Sequence, residues 1–322
     1  MAAPSAPGDG RTYHATQSVY ILPNDNQEHR RLEATAERIR ELLDDKVVHA
    51  PLDSALIHKV IDIGCGTGAT TDELGATFPE ASVYGVDLSA VPALRPKLNN
   101  IEYLQGDVVE LAATETDTCL AKGTFDYVFS RFMMGGIMDW KGYIQLCLAL
   151  LKPGAWIEMQ EPDMARFLLP PSGNAYDVYS KTPTLEDLKG NTVSVGEDPE
   201  SWRAVWQNLM RFRGLEPRVG ALLANYFEDA GLKDVRIKRY VLPFGTWDGM
   251  TDAQRRMAPI HKAFVRDDAP GLIRKLGNAM ASMSWEKVDK VVEDSKGFVD
   301  RFEGNREFGW VYVVCGRKVR AG

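Results

Sequence analysis

Short runs that are apolar on both faces alternate with amphipathic stretches through the first half of the chain. Runs at Lys59–Ile63, Ser82–Val86, Ile101–Leu104, Phe125–Phe129 and Trp156–Met159 predict strands. Helix-period stretches at Gln27–Leu43, Thr70–Thr77 and Trp140–Leu151 precede and separate them. In the first of these, Leu32, Ile39, Leu42 and Leu43 supply the apolar positions. Strands alternating with helices predict an α/β fold built on a parallel, doubly wound sheet. Strands apolar on both faces belong where helices cover each side.

After Glu161 the texture changes. Proline and glycine at Pro162, Pro170, Pro171, Gly173, Pro183, Gly190, Gly196 and Pro199 predict loop with brief helices across 162–200. Helices are predicted at Trp202–Phe212 and Arg218–Ala230, the latter closed by Gly231. Val235–Leu242 and Trp310–Cys315 predict strands, and the Met-rich stretch 246–308 is mostly helical. Long connections of this kind in compact folds often carry function.

The chemistry concentrates in Val60-Ile61-Asp62-Ile63-Gly64-Cys65-Gly66-Thr67-Gly68. A hydrophobic strand runs into a turn with glycine at alternate positions, which lets a ligand approach the main chain. Asp87 closes the next strand, where a carboxylate accepts hydrogen bonds from ribose hydroxyls. Asp107, in Gly106-Asp107-Val108, follows the third strand and can accept from an adenine amino group. The fourth strand ends in Ser130 and Arg131, at the strand ends where open α/β sheets bind ligands. The cofactor set expected from this pattern is Asp62, Gly64, Gly66, Gly68, Asp87 and Asp107, flanked by Leu88 and Val108. Ser130 and Arg131 are placed against the methionine part of the cofactor or against substrate.

The same glycines satisfy a dinucleotide pattern, GxGxx(G/A), and Asp87 would suit a nicotinamide cofactor. Asp62 beside the turn suits the amino group of a methionine moiety and is awkward next to a pyrophosphate. Gly106-Asp107 has no required role in dinucleotide binding. S-adenosylmethionine is therefore the expected cofactor, with S-adenosylhomocysteine as product and a nicotinamide-dependent oxidoreductase as the alternative.

Composition narrows the partners. The chain of 322 residues carries a net charge of −7, which argues against broad capture of nucleic acid. Arg30, Arg31, Arg38 and Arg40 read as a solvated helix face. The four cysteines, Cys65, Cys119, Cys147 and Cys315, include no CxxC pair and suggest neither zinc site nor disulfide framework. No apolar stretch approaches membrane-spanning length. The opening MAAPSAPGDG reads as a disordered tail rather than a signal peptide, so a cytoplasmic or nuclear setting is expected.

The segments IDIGCGTG, GVDLS, GDV, FDYVFSR and LLKPGAWIEMQE resemble class I methyltransferases. YILPND with Glu28 and Arg31-Leu32, Arg131 with Gly136-Ile137-Met138-Asp139-Trp140, and YVVCGRK at 312–318 resemble the fungal LaeA-like methyltransferases more narrowly. The resemblance implies a Rossmann-like, doubly wound seven-stranded sheet with the last strand antiparallel and helical cap insertions. It implies methylation of a small molecule, a secondary-metabolite intermediate, on oxygen, nitrogen or sulfur, with a protein acceptor as the alternative. It also implies that Tyr20, with Asn24 and Asp25, forms a lid on the cofactor. The corresponding organisation is a tail at 1–18, a helical lid at 19–58, a cofactor-binding core at 59–161, cap insertions at 162–215 and 246–308, the core continued at 216–245, and a last strand at 309–322. Departures from the pattern are GCGTG in place of GTGTG, and Ala34, Thr35 and Ala36 where a histidine is expected. Such families also include regulators that act through a protein partner.

Methyl transfer from a sulfonium is an in-line displacement, so alignment and exclusion of water dominate. An oxygen or nitrogen acceptor can also need a proton removed. By residue type the candidate base is His261, whose alternative is an ordinary helix histidine. By topology it is Glu161, whose alternatives are orienting a substrate amine or capping the following loop. Met133, Met134 and Met138 with Trp140 line a pocket or fill the core, as do Trp202, Trp206, Phe212 and Trp247. Cys65 is assigned no catalytic role.

Overall fold

The computed structural model describes residues 20, 23–113, 119–190, 199–279 and 283–319; the expected N-terminal tail lies outside them. The strands are β1 (Lys59–Ile63), β2 (Ser82–Asp87), β3 (Ile101–Gln105), β4 (Phe125–Arg131), β5 (Leu151–Leu168), β6 (Lys233–Pro243) and β7 (Glu307–Arg317). They form one seven-stranded sheet in the order β3-β2-β1-β4-β5-β7-β6. β1 to β5 pair in parallel, and β7 runs antiparallel to both β5 and β6. The chain builds outward from β1 to β3 and then returns to β4, so the strand order reverses between β1 and β4. That reversal opens a crevice at the carboxyl ends of the strands. Val60, Ile61, Val83, Tyr127 and Val128 are fully buried, as a sheet covered on both faces requires.

Helix α1 (Asn26–Leu42) is started by Asp25, whose side chain accepts from the Glu28 amide. The segment after α1 is tied to the sheet by the buried Glu158 carboxylate of β5. It accepts from the amides of His49 at 2.9 Å and Ala50 at 2.7 Å and from the Tyr127 hydroxyl at 2.9 Å. α2 (Ala69–Thr77), α3 (Val108–Ala113) and α4 (Trp140–Leu150) follow their strands, and α5 (Leu185–Gly190), α6 (Trp202–Phe212) and α7 (Val219–Asp229) lie between β5 and β6. α7 ends as expected, with Gly231 in the left-handed region at φ +83°.

The 246–308 stretch folds into α8 (Asp252–Ala263), a π-helical turn at Phe264–Asp268, α9 (Ala269–Ala279) and α10 (Trp285–Asp300). Thr251 and Gln254 close a reciprocal capping box at the start of α8. Among the described residues, no helix is long and apolar enough to cross a membrane.

Residues 162–168 are not the predicted loop: β5 continues through Pro162 to Leu168. Proline is tolerated there because β5 pairs with β4 only as far as Arg131↔Gln160, whereas pairing with β7 continues to Leu168↔Glu307. β6 accompanies β7 as far as Pro243↔Phe308. The ends of β5, β7 and β6 thus overhang the parallel half of the sheet and form a ledge under the second helical insertion.

Candidate functional site

β1 delivers the chain into a turn in which Gly64, Gly66 and Gly68 have φ of +75°, +56° and +80°. A Cβ on Gly64 would overlap the Met133 sulfur, and one on Gly68 would overlap the Tyr103 hydroxyl. The turn is therefore a bare-backbone wall that only glycine can build.

Asp87, at the end of β2, is pinned beside this wall. Its Oδ2 accepts from the Gly66 amide at 2.9 Å and its Oδ1 from the Ser89 amide at 2.9 Å. Asp107 sits just before α3 and accepts from the Val109 amide at 2.8 Å. These groups line a cleft of about 190 Å³ with Gly64, Gly66, Leu88, Val108, Arg131 and Tyr20. All eight of those residues belong to the predicted cofactor set. Gly68 lies outside the cleft, at the N-cap position just before α2.

A smaller recess of about 80 Å³ adjoins the cleft and is lined by Asp62, Gly64, Gly66, Thr70 and Arg131, among others. Asp62 is buried and accepts from the Thr71 hydroxyl at 2.7 Å. Burial pushes its carboxyl up to about 6, against the Thr71 hydrogen bond and the Arg131 charge. Arg131 donates from Nη2 to Thr70 Oγ1, while its buried Nη1 has no partner among the described residues. Burial lowers the Arg131 pKa, and the Asp62 and Glu73 charges oppose that shift. The recess thus offers a carboxylate and a guanidinium N–H, a pairing suited to an amino acid zwitterion.

The second cavity, of about 220 Å³, lies under the helical insertion. Pro162 and Met164 from β5, Leu242 from β6, and Phe244 form its ledge side. Trp206 and Met210 of α6, Met257, Ile260 and His261 of α8, and Phe264 of the π-helical turn close it. Tyr20, Leu32 and Phe132 border both this cavity and the cleft, so they form the partition between them. Phe132 holds φ at +58°, a conformation uncommon for a bulky residue and often kept at functional sites.

Several predicted roles require correction. Glu161 lines neither cavity and is fully buried. Its Oε1 accepts from the Met133 amide at 2.6 Å and its Oε2 from the Met134 amide at 3.1 Å. Burial pushes its carboxyl up to about 8 against these bonds. It does not cap the loop expected after it, since β5 continues there; both oxygens are committed instead to fixing the loop after β4 that presents Phe132 and Met133.

Ser130 also lines neither cavity. Strand alternation sends it to the opposite face from Arg131, against Tyr143 of α4. His261 does line the apolar cavity. However, burial and the nearby Arg203 charge push its imidazole down to about 3, so it is neutral at physiological pH and too weakly basic to retain an abstracted proton.

Met134 and Trp206 line the apolar cavity and Met133 the cleft, whereas Met138 and Phe212 are exposed and Trp140, Trp202 and Trp247 are buried in the core. Arg31 is not a solvated arginine: it pairs with the buried Glu28 and borders the apolar cavity. Cys65 is buried with its thiol pushed well above its ordinary pKa, consistent with no catalytic role. No group of three or more metal-ligating side chains occurs among the described residues.

Asn24 was expected in a lid, but its partners Ser89 and His29 escaped the sequence reading. Asn24 donates to Ser89 Oγ at 2.8 Å, and His29 Nε2 lies 2.9 Å from Asn24 Oδ1. Together they strap the start of α1 across the cleft to the loop after β2. The signal was the placement of His29 one turn after the Asp25 cap, on the face that also carries Leu32.

The strand order with its reversed last strand, and the carboxylate-lined cleft at the switch point, define a class I, Rossmann-like methyltransferase scaffold. Residues 27–237 match the family described as a methyltransferase domain, and the chain belongs to that family. Among curated relatives it is 27% identical over 245 residues to the methyltransferase pytC of Aspergillus terreus, covering 74% of this chain and 65% of that protein. It is 33% identical over 163 residues to the protein-methionine methyltransferase laeA of Emericella nidulans, covering 48% of this chain and 40% of that protein. The chain therefore spans less than two thirds of the length of either relative.

Similar solved structures include phosphoethanolamine N-methyltransferase 2 of Haemonchus contortus in complex with phosphomonomethylethanolamine and S-adenosylhomocysteine. That likeness has a TM-score of 0.43 at 15% identity and covers 89% of this chain and 52% of that one. A SAM-dependent methyltransferase from Archaeoglobus fulgidus gives 0.40 at 15% identity, over 91% and 97% of the two chains.

Proposed function

We propose that this chain binds S-adenosylmethionine in the carboxylate-lined cleft and methylates a small molecule held in the adjoining apolar cavity. The observation that carries the reading is the shared wall. A polar cleft and an apolar cavity meet at Tyr20, Leu32 and Phe132, so cofactor and acceptor would face one another there. The acceptor we propose is a secondary-metabolite intermediate methylated on oxygen, nitrogen or sulfur; the relative named secondary metabolism regulator laeA links the family to that chemistry, whereas the one named protein-methionine methyltransferase laeA favours the alternative of a protein acceptor.

The residues present fit the cofactor. The glycine turn presents bare backbone to the cleft, the φ values of its glycines all positive and a Cβ at Gly64 sterically barred, and Arg131 Nη1 is a buried donor with no partner among the described residues. Asp87 would hold the ribose hydroxyls and Asp107 the adenine amino group, with Leu88 and Val108 against the base. Asp62 and Arg131 would take the amino and carboxylate groups of the methionine part. A dinucleotide pyrophosphate at this turn would instead meet the carboxyl group of Asp62, an unfavourable juxtaposition.

When bound, the cofactor supplies an electrophilic methyl group. The chain's own contribution is alignment: Glu161 fixes the loop at Met133 and Met134, and the Asn24–Ser89 strap closes the cleft against water.

Calorimetric titration with S-adenosylmethionine, S-adenosylhomocysteine and oxidised and reduced nicotinamide dinucleotides tests this. Micromolar binding of the first two alone supports it. No binding of either sinks it, and binding of a dinucleotide promotes an oxidoreductase. Cofactor binding with transfer of labelled methyl only to protein would favour a regulator acting on a protein partner.

A further inference from the structure

Resting on the proposed methyltransferase reading, the apolar cavity carries a statement about what it accepts. Its wall holds few polar groups, and most are already committed. Arg31 is bound through two nitrogens to the buried Glu28. Thr35 donates to the Arg31 carbonyl at 2.8 Å. Among the described residues, no aspartate, glutamate or lysine lines the cavity.

His261 differs. It is 9% exposed, borders the cavity, and its buried Nε2 has no hydrogen-bond partner among the described residues. Its ring is held rigidly, stacked on Phe244 with centroids 4.6 Å apart and edge-on to Phe298 at 6.3 Å. The Arg203 guanidinium lies 4.2 Å from the same Phe244 ring. A buried polar atom left unpaired is costly, which makes it a site for a ligand group that completes it.

We infer that the cavity takes a neutral, ring-bearing molecule and that His261 anchors it by one hydrogen bond to a hydroxyl or carbonyl group. Aromatic and thioether side chains, Trp206, Phe244, Phe264, Met164, Met210 and Met257, supply the surface for flat apolar rings. An anionic acceptor is disfavoured because Arg31 is neutralised by Glu28 and Arg203 does not line the cavity, so entry would strip the anion of water with little compensation. His261 acts here as an anchoring residue, not as the proton acceptor.

The test uses 2-naphthol, its isostere 2-methylnaphthalene and the anion 2-naphthoate as probes, titrated into the protein saturated with S-adenosylhomocysteine. The expected order is 2-naphthol tighter than 2-methylnaphthalene by roughly three- to tenfold, the worth of one net hydrogen bond. No binding of 2-naphthoate is expected. His261→Phe keeps the stack on Phe244 and should erase the preference while binding 2-methylnaphthalene as before. His261→Gln, which keeps a donor and acceptor, should recover part of it.

Equal affinity for 2-naphthol in wild type and His261→Phe overturns the anchor. Tightest binding of 2-naphthoate, or no binding of either neutral probe, overturns the substrate class. Because S-adenosylhomocysteine affinity is measured separately, its absence with naphthol still bound would strike the methyltransferase reading alone.

Discussion

Replacing Asp87 by alanine isolates the carboxylate that the cleft is built around. In the folded chain this carboxylate accepts from the Gly66 and Ser89 amides, both at 2.9 Å. These bonds lie in a partly exposed cleft where water can replace the lost oxygens, so the cost to folding should be about 1 kcal/mol. The cost to cofactor binding should be larger, because two ribose hydroxyls would lose a charged acceptor and the Gly66 wall would lose its brace. Hydrogen bonds to charged groups contribute about 1.5–3 kcal/mol each. Allowing for partial replacement by water, a loss of about 2–4 kcal/mol raises Kd roughly 30- to 700-fold.

Calorimetric titration with S-adenosylhomocysteine reads the affinity, and thermal melting of the same sample confirms the fold. Asp87→Asn, which keeps one acceptor oxygen at the same place, should fall between the two. A folded Asp87→Ala protein that binds S-adenosylhomocysteine within threefold of wild type would refute the assignment.

Three further outcomes follow from the same geometry. Gly64→Ala should lower stability by about 1–2 kcal/mol, since φ +75° penalises any Cβ and this one would overlap Met133; the double variant with Met133→Ala should recover part of the loss, and an unchanged melting temperature in Gly64→Ala would contradict the clash. Glu161 has its carboxyl raised from the usual 4.5 to about 8, so its contribution to stability is complete below about 4.5 and lost as pH rises through 8. Glu161→Gln should be less stable near neutral pH, with an amide N–H₂ facing an amide N–H, and should lose that part of the alkaline decline; parallel melting profiles from pH 5 to 9 would count against it. His261 is depressed from 6.5 to about 3, so its contribution is complete above 6.5 and lost as pH falls toward 3. Denaturant midpoints at pH 7 and 4.5 should show about 2–3 kcal/mol less acid loss in His261→Phe than in wild type, and equal losses would contradict burial of the neutral ring.

The parallel core was legible in local pattern because each of its determinants is short-range. Apolar runs mark buried strands, and alternate glycines mark a turn that no Cβ can enter. Asp87 and Asp107 follow strands whose parallel pairing places them at one edge. Gly64, Gly66, Asp87, Leu88, Asp107, Val108, Arg131 and Tyr20 accordingly line one cleft.

What the pattern could not decide was set by pairing and burial between distant segments. The prolines after Glu161 pointed to a loop, yet β7 carries β5 on to Leu168 because Pro162 sits where β4 no longer needs a donor. Glu161 looked catalytic at a strand end until the fold brought the Met133 and Met134 amides onto both its oxygens. His261 stood open between a base and an ordinary helix histidine until burial against Phe244 and the charge of Arg203, both from other elements, lowered its pKa. The apolar cavity draws on residues from Tyr20 to Phe264, and side chains so far apart in the chain meet only when the sheet and its insertions pack. Backbone pattern thus specified the carboxylate-lined cleft, whereas desolvation and partner choice in the packed structure decided the chemistry of the cavity beside it.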